Sequence, residues 1–181
     1  MSELELVTRV AGGDAGAYRV LSDAHLGPIY NYARRILNHE NEAEDVAQET
    51  FLRLWTEAQR WKPTARLSTY LHRIAHNLCM DRLRRARPHS SDAVEALADS
   101  SGPLRLVERK QLAESVERAL MTLPARQRAA VTMVHYQGLS NPEVADVLDI
   151  GVEAVESLLA RGRRALREML ALRRATAGVS E

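Results

Sequence analysis

The chain has 181 residues, 45% of them hydrophobic, with a net charge of +1 and one cysteine. That length makes one large or two small domains. The charge excludes a general polyanion binder, so any nucleic-acid site must come from local clustering, and one cysteine excludes an internal disulfide framework and fits a reducing compartment.

No apolar run approaches the roughly 18 residues of a membrane span, and the acidic start MSELELV is unlike a signal peptide, so a soluble cytoplasmic protein is expected. Aromatics make up only 4%. The core must therefore come from Leu, Val and Ala, and with few alternating β-branched stretches an all-α fold is expected.

Leu4, Val7 and Ala11 begin a short amphipathic helix that Gly12-Gly13 ends, and Asp14 can cap the next. Residues 17–37 carry Tyr18, Leu21, Leu26, Ile29, Ala33, Ile36 and Leu37 at helical spacing. Gly27-Pro28 is expected to kink or split this helix. Asn41 followed by Glu44 resembles a capping box for a helix running to about Gln59. Val46, Phe51, Leu54 and Trp55 look inward there, whereas Glu42, Glu44, Asp45, Gln48, Glu49 and Arg53 look outward. That acidic face is either solvated or docks on a basic partner helix.

Trp61 to Arg66 form a loop in which Trp61, with Lys62 and Arg66, stacks a base or closes the core edge. Then comes the stretch that organises the chain, Leu71 to Arg87, with Ser68 as its N-cap and Pro88 as its stop. Leu71, Ile74, Ala75, Leu78 and Cys79 make its apolar stripe, and Arg73, His76, Asn77, Arg84 and Arg87 lie opposite. Guanidinium groups hold phosphates and an Asn amide reads a base edge, so this face either suits a polyanion or is a solvated basic helix end.

Residues 88–103, PHSSDAVEALADSSGP, contain no Lys or Arg and read as a flexible acidic linker. They divide the chain into domains at 1–87 and 104–174, with a tail at 175–181. In the second domain a helix from about Leu104 to Met121 bears Leu106, Leu112, Val116 and Leu120. Pro124 starts the next, which buries Ala129, Ala130, Met133 and Val134 and stops at Gly138. Ser140 with Glu143 is a capping box for a short helix through Val147. Asp149-Ile150-Gly151 makes a tight turn, and the last helix runs from Val152 to about Leu170. A short capped helix, a tight turn and a longer helix read as a helix-turn-helix, the alternative being an ordinary helical hairpin with solvated charges. The outer face of its second helix presents Glu153, Glu156, Ser157, Ala160, Arg161, Arg164 and Arg167. Residues near its start suit a major groove and the later arginines suit phosphates.

Three blocks, NEAEDVAQETFLRLW, LSTYLHRIAHNLCMDRLRR and LPARQRAAVTMVHYQGLSNPEVADVLDIGVEAVESLLARGRRALREML, separated by an acidic linker, resemble a bacterial RNA polymerase sigma factor. The subgroup is the extracytoplasmic-function (ECF) type, which keeps only sigma regions 2 and 4. The resemblance implies that Asp45, Gln48, Glu49, Leu52 and Arg53 dock on the clamp helices of the polymerase largest subunit. It implies that Trp61, Lys62, Arg66, Arg73, His76 and Asn77 melt the −10 element and capture a flipped base, with Asn77 in the base pocket. Arg84, Arg85 and Arg87 would hold the upstream backbone. Glu153, Glu156, Ser157, Arg161, Arg164 and Arg167 would lie in or beside the −35 major groove, and the flap of the second-largest subunit would grip region 4. Core polymerase, promoter DNA and an anti-sigma factor are the implied partners, with no small-molecule substrate.

The chain departs from the family pattern at Asp149 and Gly151 in the turn, at Glu156 and Leu158 in the recognition helix, and at Leu67 and Tyr70 ahead of the −10 helix. Asp tolerates the left-handed region and Gly can cap a helix, so the turn survives. His72, His76 and Cys79 stand at a spacing that could ligate zinc, but no fourth ligand is evident and Cys79 sits on the apolar stripe. No metal, cofactor or enzymatic activity is expected, because no phosphate loop, nucleophile elbow or acid–base pair is recognisable. A sigma-like decoy that sequesters an anti-sigma factor and a plain helix-turn-helix regulator are the alternatives.

Overall fold

The computed structural model describes residues 2–86 and 104–177 and, within the second stretch, the side chains of 113–172. Among them are eight α-helices and no strand: α1 (Glu3–Ala11), α2 (Ala15–Leu37), α3 (Glu40–Glu57), α4 (Leu67–Ala86), α5 (Leu104–Thr122), α6 (Ala125–His135), α7 (Asn141–Leu148) and α8 (Val152–Ala177). Arg87, the expected linker at 88–103 and the last four residues of the tail lie outside the described residues.

Local chemistry sets most boundaries. Ser2 and Glu5 form a reciprocal capping box at α1. Gly13 takes a positive φ of 84° behind it, and the Asp14 carboxylate accepts from the Ala17 amide at 3.0 Å to open α2. Ser140 and Glu143 form the second capping box, at α7. Asp149 ends α7 with φ 52°, in the left-handed region that Asp tolerates.

Four local expectations are corrected. Pro28 does not split α2, which runs unbroken for 23 residues. Ala24, Gly27 and Pro28 face solvent, so the carbonyl freed by the missing amide is open to water, while buried Ile29, Tyr32, Ala33 and Ile36 pin the following turns. The cap of α3 is His39 rather than Asn41: its ring nitrogen accepts from the Glu42 amide at 3.3 Å. Ser68 does not cap α4, which starts one residue earlier; the Ser68 carbonyl instead accepts from His72 Nδ1 at 2.8 Å. Trp55 and Leu26 lie on the surface, Trp55 with its ring edge-on to Tyr18 at 5.2 Å.

α1 to α4 pack as one bundle around Leu21, Tyr32, Leu54, Leu71 and Cys79. α5 to α8 pack as a second around Leu120, Met133, Val144, Val155 and Leu159. Within it α6 and α8 approach closely: a Cβ on Gly162 would stand 2.8 Å from Val131 Cγ2. The two bundles then pack against each other, α4 on α7 and α2 on α5 and α6. This placement brings the outward face of α4 up to the helix-turn-helix.

Candidate nucleic-acid interface

The outward face of α4 forms one wall of a cleft of about 1030 Å³. Arg73, Asn77, Met80 and Arg84 come from α4; Arg126 and Arg128 from α6 and Asp146 and Asp149 at the end of α7 come from opposite. Asn77 is exposed here and has no side-chain hydrogen bond among the described residues. Arg73 is paired with Asp146, and Arg84 with Asp81 one turn before it. Arg66 is well exposed and lies 3.5 Å from Glu143. Lys62 is exposed, and Trp61 is half-buried against the core.

His76 departs from expectation in part: it lines the cleft beside Asn77 but is not exposed there. It is buried, and its Nδ1 lies 2.8 Å from the Tyr32 hydroxyl. Position 76 is at the rim of the apolar stripe, and Tyr32 across the bundle supplies a hydroxyl that satisfies the ring. Burial first, and the charge of Arg126 second, push its pKa down to about 4, so the ring is neutral at neutral pH and shares one hydrogen bond with the hydroxyl. His72, also buried, is shifted down by burial as well.

These shifts predict acid sensitivity. An unfolded histidine titrates near 6.5 and folded His76 near 4. Between those values the unfolded chain holds a proton that the folded chain does not. The stabilisation from a neutral His76 is complete above pH 6.5 and is lost as pH falls through the window, by about 3 kcal/mol at its lower end. Urea midpoints should therefore fall steadily from pH 7 to pH 4.5, and His76→Asn should flatten that slope; a midpoint constant over the range contradicts the assignment.

The acidic face of α3 borders a second, shallower cleft of about 610 Å³, lined by Asp45, Gln48, Glu49, Leu52 and Arg53 together with Leu78, Asp81, Arg82 and Arg85 of α4. Arg53 pairs with Glu49 at 2.9 Å, and Leu52 is exposed at the centre of a polar rim. Arg85 thus lies on the α3 side while Arg84 lines the larger cleft, although the two are adjacent in sequence. One residue turns a helix by about 100°, enough to divide neighbours between two faces.

On α8, Glu153, Glu156, Ser157, Arg161, Arg164 and Arg167 are all exposed. The Arg161 guanidinium donates to Ser157 Oγ at 3.1 Å, which holds the pair as a unit. Arg167 lies further round, beside an apolar groove lined by Leu120, Val131, Leu166 and Leu170. Arg126, Arg128 and Asp146 enter the cleft, and Glu143 meets Arg66, without having been singled out as site residues, because nothing local in the sequence tells which helix α4 meets. Among the described residues no helix is long and apolar enough to cross a membrane, and no group of three or more His, Cys, Asp or Glu could hold a metal ion.

Comparison with known proteins covers both bundles. Residues 21–89 match the family model for Sigma-70 region 2, and residues 113–166 that for Sigma-70 region 4. The chain is 31% identical over 176 residues to the ECF RNA polymerase sigma factor SigW of Bacillus subtilis, spanning 91% of this chain and 94% of the relative. It is 35% identical over 169 residues to the ECF RNA polymerase sigma factor SigM of Mycobacterium tuberculosis, spanning 93% and 85%. Among solved structures it resembles CnrH in complex with the cytosolic domain of CnrY, with a TM-score of 0.73 and 26% identity, over 94% of this chain and 97% of that one. Two family matches in the order of the two bundles, and relatives aligned nearly end to end, lead to one conclusion: the chain belongs to the ECF family of RNA polymerase sigma factors.

Proposed function

We propose that the chain works in the cytoplasm as a non-enzymatic initiation factor whose 1–87 domain docks on core polymerase and opens the −10 element, and whose 104–174 domain reads the −35 element. Asp45, Gln48, Glu49, Leu52 and Arg53 form the polymerase-docking face. Trp61, Lys62, Arg66, Arg73, Asn77, Arg84 and Arg87 contact the −10 region, with the Asn77 amide in the base pocket. A base leaving the stack loses a few kcal/mol of stacking, and an amide that donates and accepts can offset that loss. Arg85 contacts backbone from the α3 side. His76 acts from behind, by fixing α4 against Tyr32. Glu153, Glu156, Ser157 and Arg161 meet the −35 groove, and Arg164 and Arg167 its phosphates. An anti-sigma factor holds the free protein; the similar structure CnrH is itself in complex with the cytosolic domain of CnrY.

The observation that carries this reading is Asn77: an exposed amide without a hydrogen-bond partner among the described residues, flanked on one helix face by Arg73 and Arg84. The test is run-off transcription with core polymerase on a promoter recovered by sequencing transcripts after overexpression. Promoter-dependent product supports the reading, and no product from any recovered promoter favours the decoy.

A further inference from the structure

Two arginines of α6 have no part in the promoter reading, yet both line the larger cleft. Arg128 is only 9% exposed. Its Nη1 donates to the Met121 carbonyl at 3.1 Å, but its Nε is buried without a partner. Buried donors are nearly always bonded, so this one calls for an acceptor. Arg126, two residues earlier, is exposed and forms no ion pair among the described residues. Its charge acts on His76, the neighbour of Asn77 on the facing wall.

The start of α6 adds to this positive potential. Pro124 stands at the cap position and supplies no side-chain hydrogen bond. The Arg128 amide reaches back to the Pro124 carbonyl at 3.0 Å; the amides of Ala125, Arg126 and Gln127 precede it and have no backbone acceptor among the described residues. Ala125 and Arg126 line the cleft. An uncapped helix start carries about half a positive charge and suits an anion, phosphate above all. The helix start alone would not define a site, but the buried and unpartnered Arg128 stands beside it.

The facing wall, on α4, is suited to more than phosphate. Asn77 presents a free amide, and half-buried Met80 and Leu83 follow it at i+3 and i+6 as apolar surface. An Asn amide pairs with adenine in a bidentate manner, through N6 and N7. Four arginines line the cleft against two aspartates, and one of these, Asp146, is paired with Arg73. A volume of about 1030 Å³ is at the upper end of the range for small-molecule sites.

We propose that this cleft is a nucleotide site: an adenine nucleoside polyphosphate sets its base on Asn77, Met80 and Leu83 and its phosphates at the start of α6, against Arg126 and Arg128. It is bound as a ligand, and no bond is made or broken. Nucleotide binding by the free chain goes beyond the promoter reading and does not depend on it. The two meet at Asn77, which cannot hold a nucleotide and a promoter base at once.

The test uses the full chain and an ATP analogue carrying a fluorophore on its ribose, titrated at low salt. The analogue should bind at one site per chain. Unlabelled ATP should displace it about tenfold better than GTP, because a bidentate amide–base pair discriminates by roughly that factor or more, and better also than inorganic tripolyphosphate. Arg126→Gln should weaken binding about tenfold with an unchanged thermal melt. A control carrying R19Q and R118Q, at two exposed arginines that do not line the cleft, loses more charge and should bind like the wild type. Asn77→Ala should erase the preference for ATP over GTP and leave displacement by tripolyphosphate unchanged. Tripolyphosphate acting as well as ATP on the wild type would reduce the cleft to an unspecific anion patch and overturn the proposal. Equal affinities for R126Q and the control, or no binding of the analogue, would overturn it as well. Failure of the promoter reading shows elsewhere, as run-off transcription without product, and leaves the nucleotide titration of the free chain untouched.

Discussion

Replacing Asn77 and Arg84 together by alanine is expected to lower run-off transcription by the reconstituted holoenzyme on the order of a hundredfold. Both residues line the cleft on the outward face of α4, two turns apart. Neither supports the fold: both side chains are exposed, and the one ion pair of Arg84, to Asp81, lies on the surface within a single helix. Surface pairs of that kind contribute about 0–1 kcal/mol, so the double variant should fold normally. A specific hydrogen-bonded base contact is worth about 1–3 kcal/mol, and a charge-assisted phosphate contact adds to it. A combined loss near 3 kcal/mol corresponds to about a hundredfold at 1.4 kcal/mol per factor of ten. The loss should fall on promoter opening alone. Binding to core polymerase, read by co-elution, should be unaffected, because the residues proposed for docking line the other cleft. Undiminished product would remove Asn77 from the base pocket.

Tyr32→Ala should be the most damaging single change to stability, by about 3–5 kcal/mol. The side chain is fully buried and among the largest in the core. Its ring meets His72 edge-on at 5.4 Å and lies 6.5 Å from His76, while its hydroxyl lies 2.8 Å from His76 Nδ1. Burial drives its own pKa up, and the charge of Arg128 from α6 acts in the opposite sense, which places Tyr32 near the seam between the bundles. Removing the ring leaves a cavity beside two neutral histidines and strips His76 of its hydrogen-bond partner. Domains of this kind have about 5–15 kcal/mol in total, so thermal melting should show a large drop. Tyr32→Phe keeps the ring and loses only the hydroxyl; about 1–2 kcal/mol is expected. A near-wild-type melt for Tyr32→Ala would mean that the cluster of Tyr32, His72 and His76 does not anchor α4.

Much of this architecture could be read from local chemistry. Helical spacing identified all eight helices among the described residues, and the Ser140–Glu143 box with Asp149 behind it located the helix-turn-helix. These signals are legible because each is completed within four or five residues. The exceptions among local readings have local causes too. His39 can cap a helix although Ser, Thr, Asp and Asn are the usual choices. Pro28 can sit inside α2 because its freed carbonyl faces solvent.

Sequence alone determined the all-helical class, the order of the elements and the family to which the chain belongs. Only the tertiary structure decided that His76 is buried on Tyr32, that Arg84 and Arg85 serve different clefts, and that α7 lies across the arginine face of α4. Periodicity says which side of a helix is apolar, and α4 has an unambiguous apolar stripe. It says nothing of what covers the polar side. That was settled by carboxylates more than sixty residues further along the chain, at Glu143 and Asp146. Pairing across such a distance depends on how two finished bundles meet, and it leaves no repeat in the sequence to be read.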